Sequence, residues 1–568
     1  LGNKIIVDDY DDSPDITGVI ETFDPDTLQS LGGAVLYNGK DTIFKAIYTR
    51  MATETVDYAI HRIEPSLSLG TGIQELSSKF AFPSTNIIIP LSGQTQLKIT
   101  DSGLTVVTEC LISGTKVQEG IDYKLSARIG IGLVPPLSFV YSVTVGDGET
   151  ISLPMFNGDD SLYDCIVNFG DGTGDKAVTA YADTDRQHTY VSAGTFDITV
   201  TDTFDYILFA DSPTSIVELK KYGTSGVGEN SFANCVNFTT ISATDSPSIH
   251  FNTLAGCFAG CSVLNSIINI DAVGVVSMLN MFNGCSLLNS AINLTSTSSV
   301  TNMSGMFFNC SAFNKDISAL DASSVTNMED MMRGCIAFNS SISFSDTSSL
   351  LTINRMLRDC IVFNQSITFN TSLVTTMREM LRGALVFNQN ITFNTAACTD
   401  MSFMFDGCTV FNGTVSDMNT SLVTDMGLMF NGCNAFNQSV SGFNTALVTS
   451  MPQMFMNCTV FNQSVPFNTI LVADMFRMFT NCSAFDQSVA GFTITSLTGA
   501  ADMFLNVTLS TSNYDAILIA WEGQAELTNV SFHGGNSLFT KSPSAAETAR
   551  SVLIATSNWS IIDGGPTP

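Results

Sequence analysis

Through the middle of the chain, apolar residues recur at i, i+3, i+4 and i+7 in one short block after another. Met401, Met404, Phe405 and Cys408 form one block; Met426, Met429, Phe430 and Cys433 form the next. That spacing lines one face of a helix, so each block predicts a short helix with the Cys on its buried face. A Thr or Asp before the first Met predicts the helix cap. Phe-Asn follows three residues past the Cys, as in Phe411-Asn412, and then a short alternating run. Asn364-Gln-Ser-Ile-Thr-Phe369 is such a run and predicts a strand. A polar stretch such as Asn370-Thr-Ser-Leu-Val-Thr375 leads into the next block.

The whole unit returns every 24 or 25 residues, at Cys310, Cys335, Cys360, Cys408, Cys433 and Cys458, with looser copies from Cys261, Cys285 and Cys482. Ala384 takes the Cys place in one rung. A fixed period of this size predicts stacked coils, each burying its apolar face only against its neighbours, about eleven of them over residues 211–509. Phe313, Phe338, Phe363 and their equivalents should stack as an internal aromatic spine. The Asn after each Phe should bond to the backbone of the next coil and keep buried polar groups paired. The strands should form one long parallel sheet.

Three segments lie outside the period. Residues 1–134 form a β-rich region without a motif, with strand-like runs at Asn86–Ile89 and Thr105–Leu111, and Gly130–Pro136 reads as a linker. Residues 135–210 alternate cleanly at Phe139–Val145, Cys165–Phe169 and Thr195–Val200, which predicts a sandwich of strands. Residues 510–568 predict two helices, Tyr514–Trp521 and Ser544–Ala555, and strands at Asn529–Phe532 and Asn558–Ile562. They would cap the last coil with Trp521 and Trp559.

Composition narrows the function. With 23 Lys and Arg against 53 Asp and Glu, the chain carries a formal charge of −30. A nucleic-acid partner or docking on anionic lipid is not expected of such a surface. No run of 18 apolar residues occurs, so no membrane insertion is expected. Ten of the 14 Cys belong to the ladder. A single-file row lacks the tetrahedral convergence of a metal site, and Ala384 shows that a small apolar group suffices. Buried free thiols are therefore expected. The four His, at 61, 188, 250 and 533, pair with no ligand at a metal spacing, and no nucleotide fingerprint occurs. Asp171-x-Thr173-x-Asp175 reads as a tight turn before it reads as a calcium loop. No catalytic residue, metal or cofactor is expected, and the chain reads as a display surface rather than an enzyme.

One patch stands out. Arg333, Arg358 and Arg382 each lie two residues before the Cys position, on three successive coils, with Arg355 and Arg378 nearby. Such a cluster could hold an anionic glycan or a partner's carboxylates. The plainer reading is a set of local ion pairs, Glu329 with Arg333 and Glu379 with Arg382.

Two resemblances add to this reading. Val167-Asn-Phe-Gly-Asp-Gly172 with His188-Thr-Tyr-Val-Ser-Ala-Gly-Thr-Phe196 resembles the PKD-type β-sandwich, with Phe169 where that family often has Trp. Val325-Thr-Asn-Met-Glu-Asp-Met-Met-Arg-Gly-Cys-Ile-Ala-Phe-Asn339 resembles the BspA-like class of leucine-rich-repeat surface proteins, notably the 26-residue repeats of Listeria and Mycoplasma surface proteins. Together they imply a multidomain chain: mainly β N-terminal domains, one of them PKD- or Ig-like, then an α/β leucine-rich-repeat-type solenoid with a small α/β cap. They also imply an extracellular, non-enzymatic adhesion protein on a bacterial cell surface or a virion, where it would be a fibre or decoration. Its partner would be a glycan or protein of a host or neighbouring cell. Residues 1–134 would attach to other virion or envelope proteins, and fibres are often symmetric homo-oligomers. The alternatives are an architectural spacer and, further off, a glycan-processing enzyme.

Overall fold

The computed structural model describes residues 138–157, 163–524 and 527–568 in full, and the backbone of ten strands before them. The linker expected at Gly130–Pro136 and the side chain of Cys110 lie outside the described residues. The chain divides into two compact units, Leu1–Pro135 and Pro136–Pro568.

In the first unit, β1 (Ile5–Val7), β2 (Thr17–Phe23) and β3 (Ser30–Asn38) form one antiparallel sheet. Six further strands follow: β4 (Phe44–Arg50), β5 (Val56–Ile63), β6 (Thr85–Ile88), β7 (Leu91–Ser92), β8 (Gln94–Asp101) and β9 (Val107–Ile112). β10 (Lys124–Ile129) pairs with β5, which pairs with β4, while β8 pairs with β6, β7 and β9.

The second unit opens with β11 (Phe139–Val145), β12 (Thr150–Ser152), β13 (Tyr163–Asn168), β14 (Lys176–Val178), β15 (Gln187–Thr189) and β16 (Gly194–Phe204). Alternation decides their faces: in β13, Tyr163, Cys165 and Val167 point inward and the residues between them outward. β11 runs between β16 and β17 (Ile216–Lys221), antiparallel to both. β17 then takes a parallel partner from the first coil. After β18 (Gly226–Val227) comes β19 (Thr240–Ile241), which extends the same sheet to six strands. The strands from Phe139 to Phe204 and the coils thus share one sheet and one core, which runs from Phe139 to Trp559.

From there the chain climbs coil on coil. β20 (Ser248–Ile249) pairs in parallel with β18, and β21 (Ile268–Asp271) with β22 (Ile292–Thr295). Beyond β22 the long parallel sheet expected from sequence is absent among the described coils. At its position one bridge remains, Ile342↔Ile367, and a separate column of single parallel bridges, from Thr253↔Ser277 to Asp474↔Gly499, runs just ahead of the Met blocks, where the chain turns on both sides of each bridging residue.

The expected helices of the coils are also absent; the described α-helices are two, both in the C-terminal segment. Each Met block is a chain of turns. Met303, Gly305, Phe307 and Asn309 donate their N–H groups to Asn327, Glu329, Met331 and Arg333 of the next coil, at 2.8–2.9 Å. The residues between them donate backwards, Met306 to Met303 and Phe308 to Gly305. Left-handed residues recur at two fixed places, such as Gly305 (φ 60°) and Asn309 (φ 57°). They bend the chain so that alternate N–H groups leave the coil, which no helix allows. Met303, Met306, Phe307 and Cys310 still share one buried face, so the 3–4 apolar spacing survives in another backbone. The polar residue before the first Met caps a turn rather than a helix: Asp400 Oδ1 accepts from Ser402 N at 2.8 Å.

Inside, the aromatic spine is present and doubled. One column follows the Phe-Asn position, Phe338–Phe363–Phe387–Phe411–Phe436–Phe461–Phe485, with centroids 5.7–6.0 Å apart. The other follows the Met-Phe position, Phe405–Phe430–Phe455–Phe479–Phe504, at 5.4–5.6 Å. The thirteen described cysteines are free and buried. The segment after the coils forms α1 (Thr511–Glu522), β23 (Ser531–His533), α2 (Ala545–Ala555) and β24 (Ser560–Ile562), close to the predicted bounds. Trp521 sits against Phe532, and Phe532 covers Phe504, the last ring of its column.

Candidate functional site

Three polar ladders run along the coils. The Asn after each spine Phe accepts from the backbone N–H of its equivalent one coil on. Asn314 Oδ1 receives Asn339 N, Asn339 receives Asn364, and Asn437 receives Asn462, all at 2.8–3.0 Å. These Asn stand at the surface, so the bonds form as expected but at an edge rather than in the core. A second ladder is outward: the hydroxyls of Thr375, Thr399, Thr424 and Thr449 each donate to the carbonyl of the preceding rung. A third is buried, with Thr371, Thr395, Thr420 and Thr445 donating to the following coil at 2.6–2.9 Å.

The five arginines singled out by sequence come together in two groups. Arg355 binds Asp330 through Nε and Nη2, both at 2.9 Å, and also binds Glu329 of the coil before it. Arg333 reaches Asp330 at 3.3 Å. The second group converges on Glu379, whose side chain is 8% exposed: Arg358 touches it, Arg378 lies at 3.3 Å and Arg382 at 3.1 Å. Arg382 also holds Asp406 at 2.9 Å. Phe403 lies under Arg378 and Arg382, and Phe308 under Arg333. The Glu379–Arg382 pair is the one read from sequence. Glu329 instead serves Arg355, because a coil places its neighbour's side chains closer than its own residue four positions on.

Charge and burial compete here. Burial alone would raise the Glu379 carboxyl, but Arg382, Arg358 and Arg378 outweigh it and hold the group below its usual range. Burial wins at Asp406, whose carboxyl is raised despite Asn431 and Arg382. The arginine heads remain 22–38% exposed. The arrangement is a half-open ion-pair network, able to exchange partners at its rim.

Among the strands before the coils, His188 Nε2 lies 2.7 Å from Asp171 Oδ2 and its ring stacks on Phe169 at 4.4 Å. Asp171 also accepts from Thr173, and Asn168 donates to Asp175. Among the described residues, no cluster of three or more His, Cys, Asp or Glu is placed to hold a metal ion. No described helix is long and apolar enough to cross a membrane.

Sequence reasoning missed one feature of the arginine coils. Ile336, Ile361, Val362, Leu385 and Val386 lie between the Cys position and the spine Phe, and all are exposed. The signal was available in a coil-by-coil comparison, because most other coils place Ser, Thr or Asn directly after the Cys.

Residues 252–369, 341–427 and 399–517 match a family described as "Mycoplasma protein of unknown function, DUF285". The three segments overlap and together span just under half of the chain, all within the coils and the first turns of α1. No curated protein and no solved structure matches the chain.

Proposed function

We propose that this chain is a non-enzymatic recognition protein displayed outside the cell, with the coils as its binding element. On this reading the coil stack is a leucine-rich-repeat-type solenoid of the BspA-like class. The strands of 135–210 are a PKD-like module, and residues 1–134 join the protein to a virion or a bacterial envelope. The partner is a glycan or protein of a host or neighbouring cell. The repeat similarity over 252–517 supports the class.

The observation that carries the reading is the repetition of the outward Asn and Thr ladders. Each coil offers the same short, uncharged, hydrogen-bonded side chains at the same pitch, so the surface is firm and multivalent. Immobilised side chains lose little entropy on contact. The arginine coils add a cluster of cations beside these ladders.

The test is binding of the full chain to a glycan array and to intact cells. Saturable binding that the folded chain competes away is expected. Absence of binding to every glycan and cell type would sink the recognition reading in favour of an architectural spacer.

A further inference from the structure

The arginine coils depart from their neighbours at two surface positions together. After the Cys position most coils place a small polar residue, as in Ser311, Thr409, Asn434 and Thr459; the three arginine coils place Ile336, Ile361 and Leu385. Val362 and Val386 follow in two of them. The five side chains are 36–45% exposed, while the Cys-position residues and spine Phe that flank them are buried. Packing does not demand Ile336, Ile361 and Leu385, since most other coils fold with Ser, Thr or Asn in the same place, whereas Val362 and Val386 sit where Leu287, Val410 and Val460 of other coils are also exposed. The five make a strip across three coils, bordered on one side by Arg333, Arg358 and Arg382 and on the other by the Asn ladder.

Charge singles out the same coils. Residues 330–386 hold five Arg and four acids, whereas the rest of 222–510 holds two cations and thirteen acids. An acidic partner is repelled along most of the coils and admitted here. The side chains of Arg333, Arg358 and Arg382 stay 22–35% exposed beside their ion pairs. Those groups are available to carboxylates. The strip is aliphatic and lacks the exposed rings on which sugars stack, so its chemistry is that of a protein contact.

We infer that this strip docks an acidic amphipathic helix of a partner protein, with the aliphatics as its floor and the three arginines as its rim. The pitch fits a helix. Three coils at about 4.8 Å spacing span about 10 Å, and residues i and i+7 of a helix lie about 10.5 Å apart with i+3 and i+4 between them. A bound strand, repeating at about 6.7 Å on one face, drifts out of step. The inference rests on the recognition reading above and names its partner.

The experiment uses the full chain and three probes: a synthetic helical peptide with Leu on one face and Glu elsewhere, its Lys counterpart, and a sulfated oligosaccharide. The acidic helix is expected to bind at least tenfold more tightly than the basic one. Ile361→Ser with Leu385→Thr, residue types that other coils carry, should weaken it at least tenfold at unchanged Tm. Should that pair lower Tm, Val386→Ala, the residue found at Ala435, repeats the test. Equal binding by the variant, or no binding of the acidic helix, overturns the inference. So does oligosaccharide binding that depends on the arginines and ignores Ile361 and Leu385, an outcome that leaves the recognition reading standing.

Discussion

A thiol is a weak hydrogen-bond donor, yet nine coils aim one at the same place. The Sγ of Cys310, Cys335, Cys433 and their equivalents donates to a carbonyl of the preceding coil, at 2.8–3.1 Å. Burial pushes the eight thiols from Cys285 to Cys482 up, Cys310 and Cys482 to about 12. They should therefore resist a thiol-specific reagent at pH 8 in the native chain and react once urea unfolds the coils; rapid native labelling at Cys433 would contradict this. Cys433→Ala removes one bond and a little volume, and should cost about 1–2 kcal/mol in urea unfolding. The free-thiol state was legible because the row is single-file and one rung does without sulfur. The bond to the preceding coil was not, since it depends on which carbonyl the turns leave within reach. A different residue sets an acid limit on the β strands before the coils. Burial raises the Asp171 carboxyl, but Thr173 and His188 outweigh it and hold it at about 2, below its unfolded value of about 3.9. Its contribution is present above about pH 4 and lost as pH falls through about 2. Asp171→Asn should accordingly lower Tm at pH 7, with the gap closing towards pH 2; a constant gap across that range would mean that the charge is idle.

At the scale of the element, the Met block shows how a correct face can come with a wrong backbone. The i, i+3, i+4, i+7 spacing is shared by a helix and by this chain of turns, so apolar periodicity alone does not separate them. The discriminating residues were in view. Gly or Asn precedes the Cys position at Asn309, Gly334, Gly383, Gly407, Gly432, Asn457 and Asn481, and all have positive φ. A helix would not repeat such residues in its last turn before an apolar one. The other left-handed place is filled less comfortably, by Phe403, Leu428 and Gln453 among others. Leu428 at φ 55° carries a Cβ penalty that Asn or Gly avoids. Leu428→Asn is expected to raise stability by about 0.5–1 kcal/mol. In a true helix the same change would lower it, so urea midpoints of the two proteins decide between the backbones. Both C-terminal helices were legible, the second to its first turn because Ser544 and Glu547 supply a cap signature, Ser544 Oγ accepting from Glu547 N at 3.1 Å, whereas the first starts three residues earlier than expected and lacks such a cap.

For the second unit as a whole, continuity matters more than any one coil. The sheet that begins with β11, β13, β14 and β16 passes through β17 and β19 into the first coil, and the core has no gap before Trp559. Sequence periodicity had placed a boundary near 210, because a shared sheet leaves no mark on the repeat itself. Stacked units of this kind transmit stability from neighbour to neighbour, so damage at one end is felt by distance. Trp521 is buried with Phe532 between it and Phe504, and Trp559 closes the far side, with its Nε1 donating to Leu527 O at 3.0 Å. Trp521→Ala should remove about 3–5 kcal/mol from this end. Hydrogen exchange of the full chain is the measure. Amides of the last coils, such as Met503 and Phe479, should exchange faster by several orders of magnitude, with a graded fall across the coils below. Those of Tyr141 and Val143 should keep the protection of the parent. Uniform loss across the unit would mean that it unfolds as one block, and that the end segment is a keystone rather than a local cover.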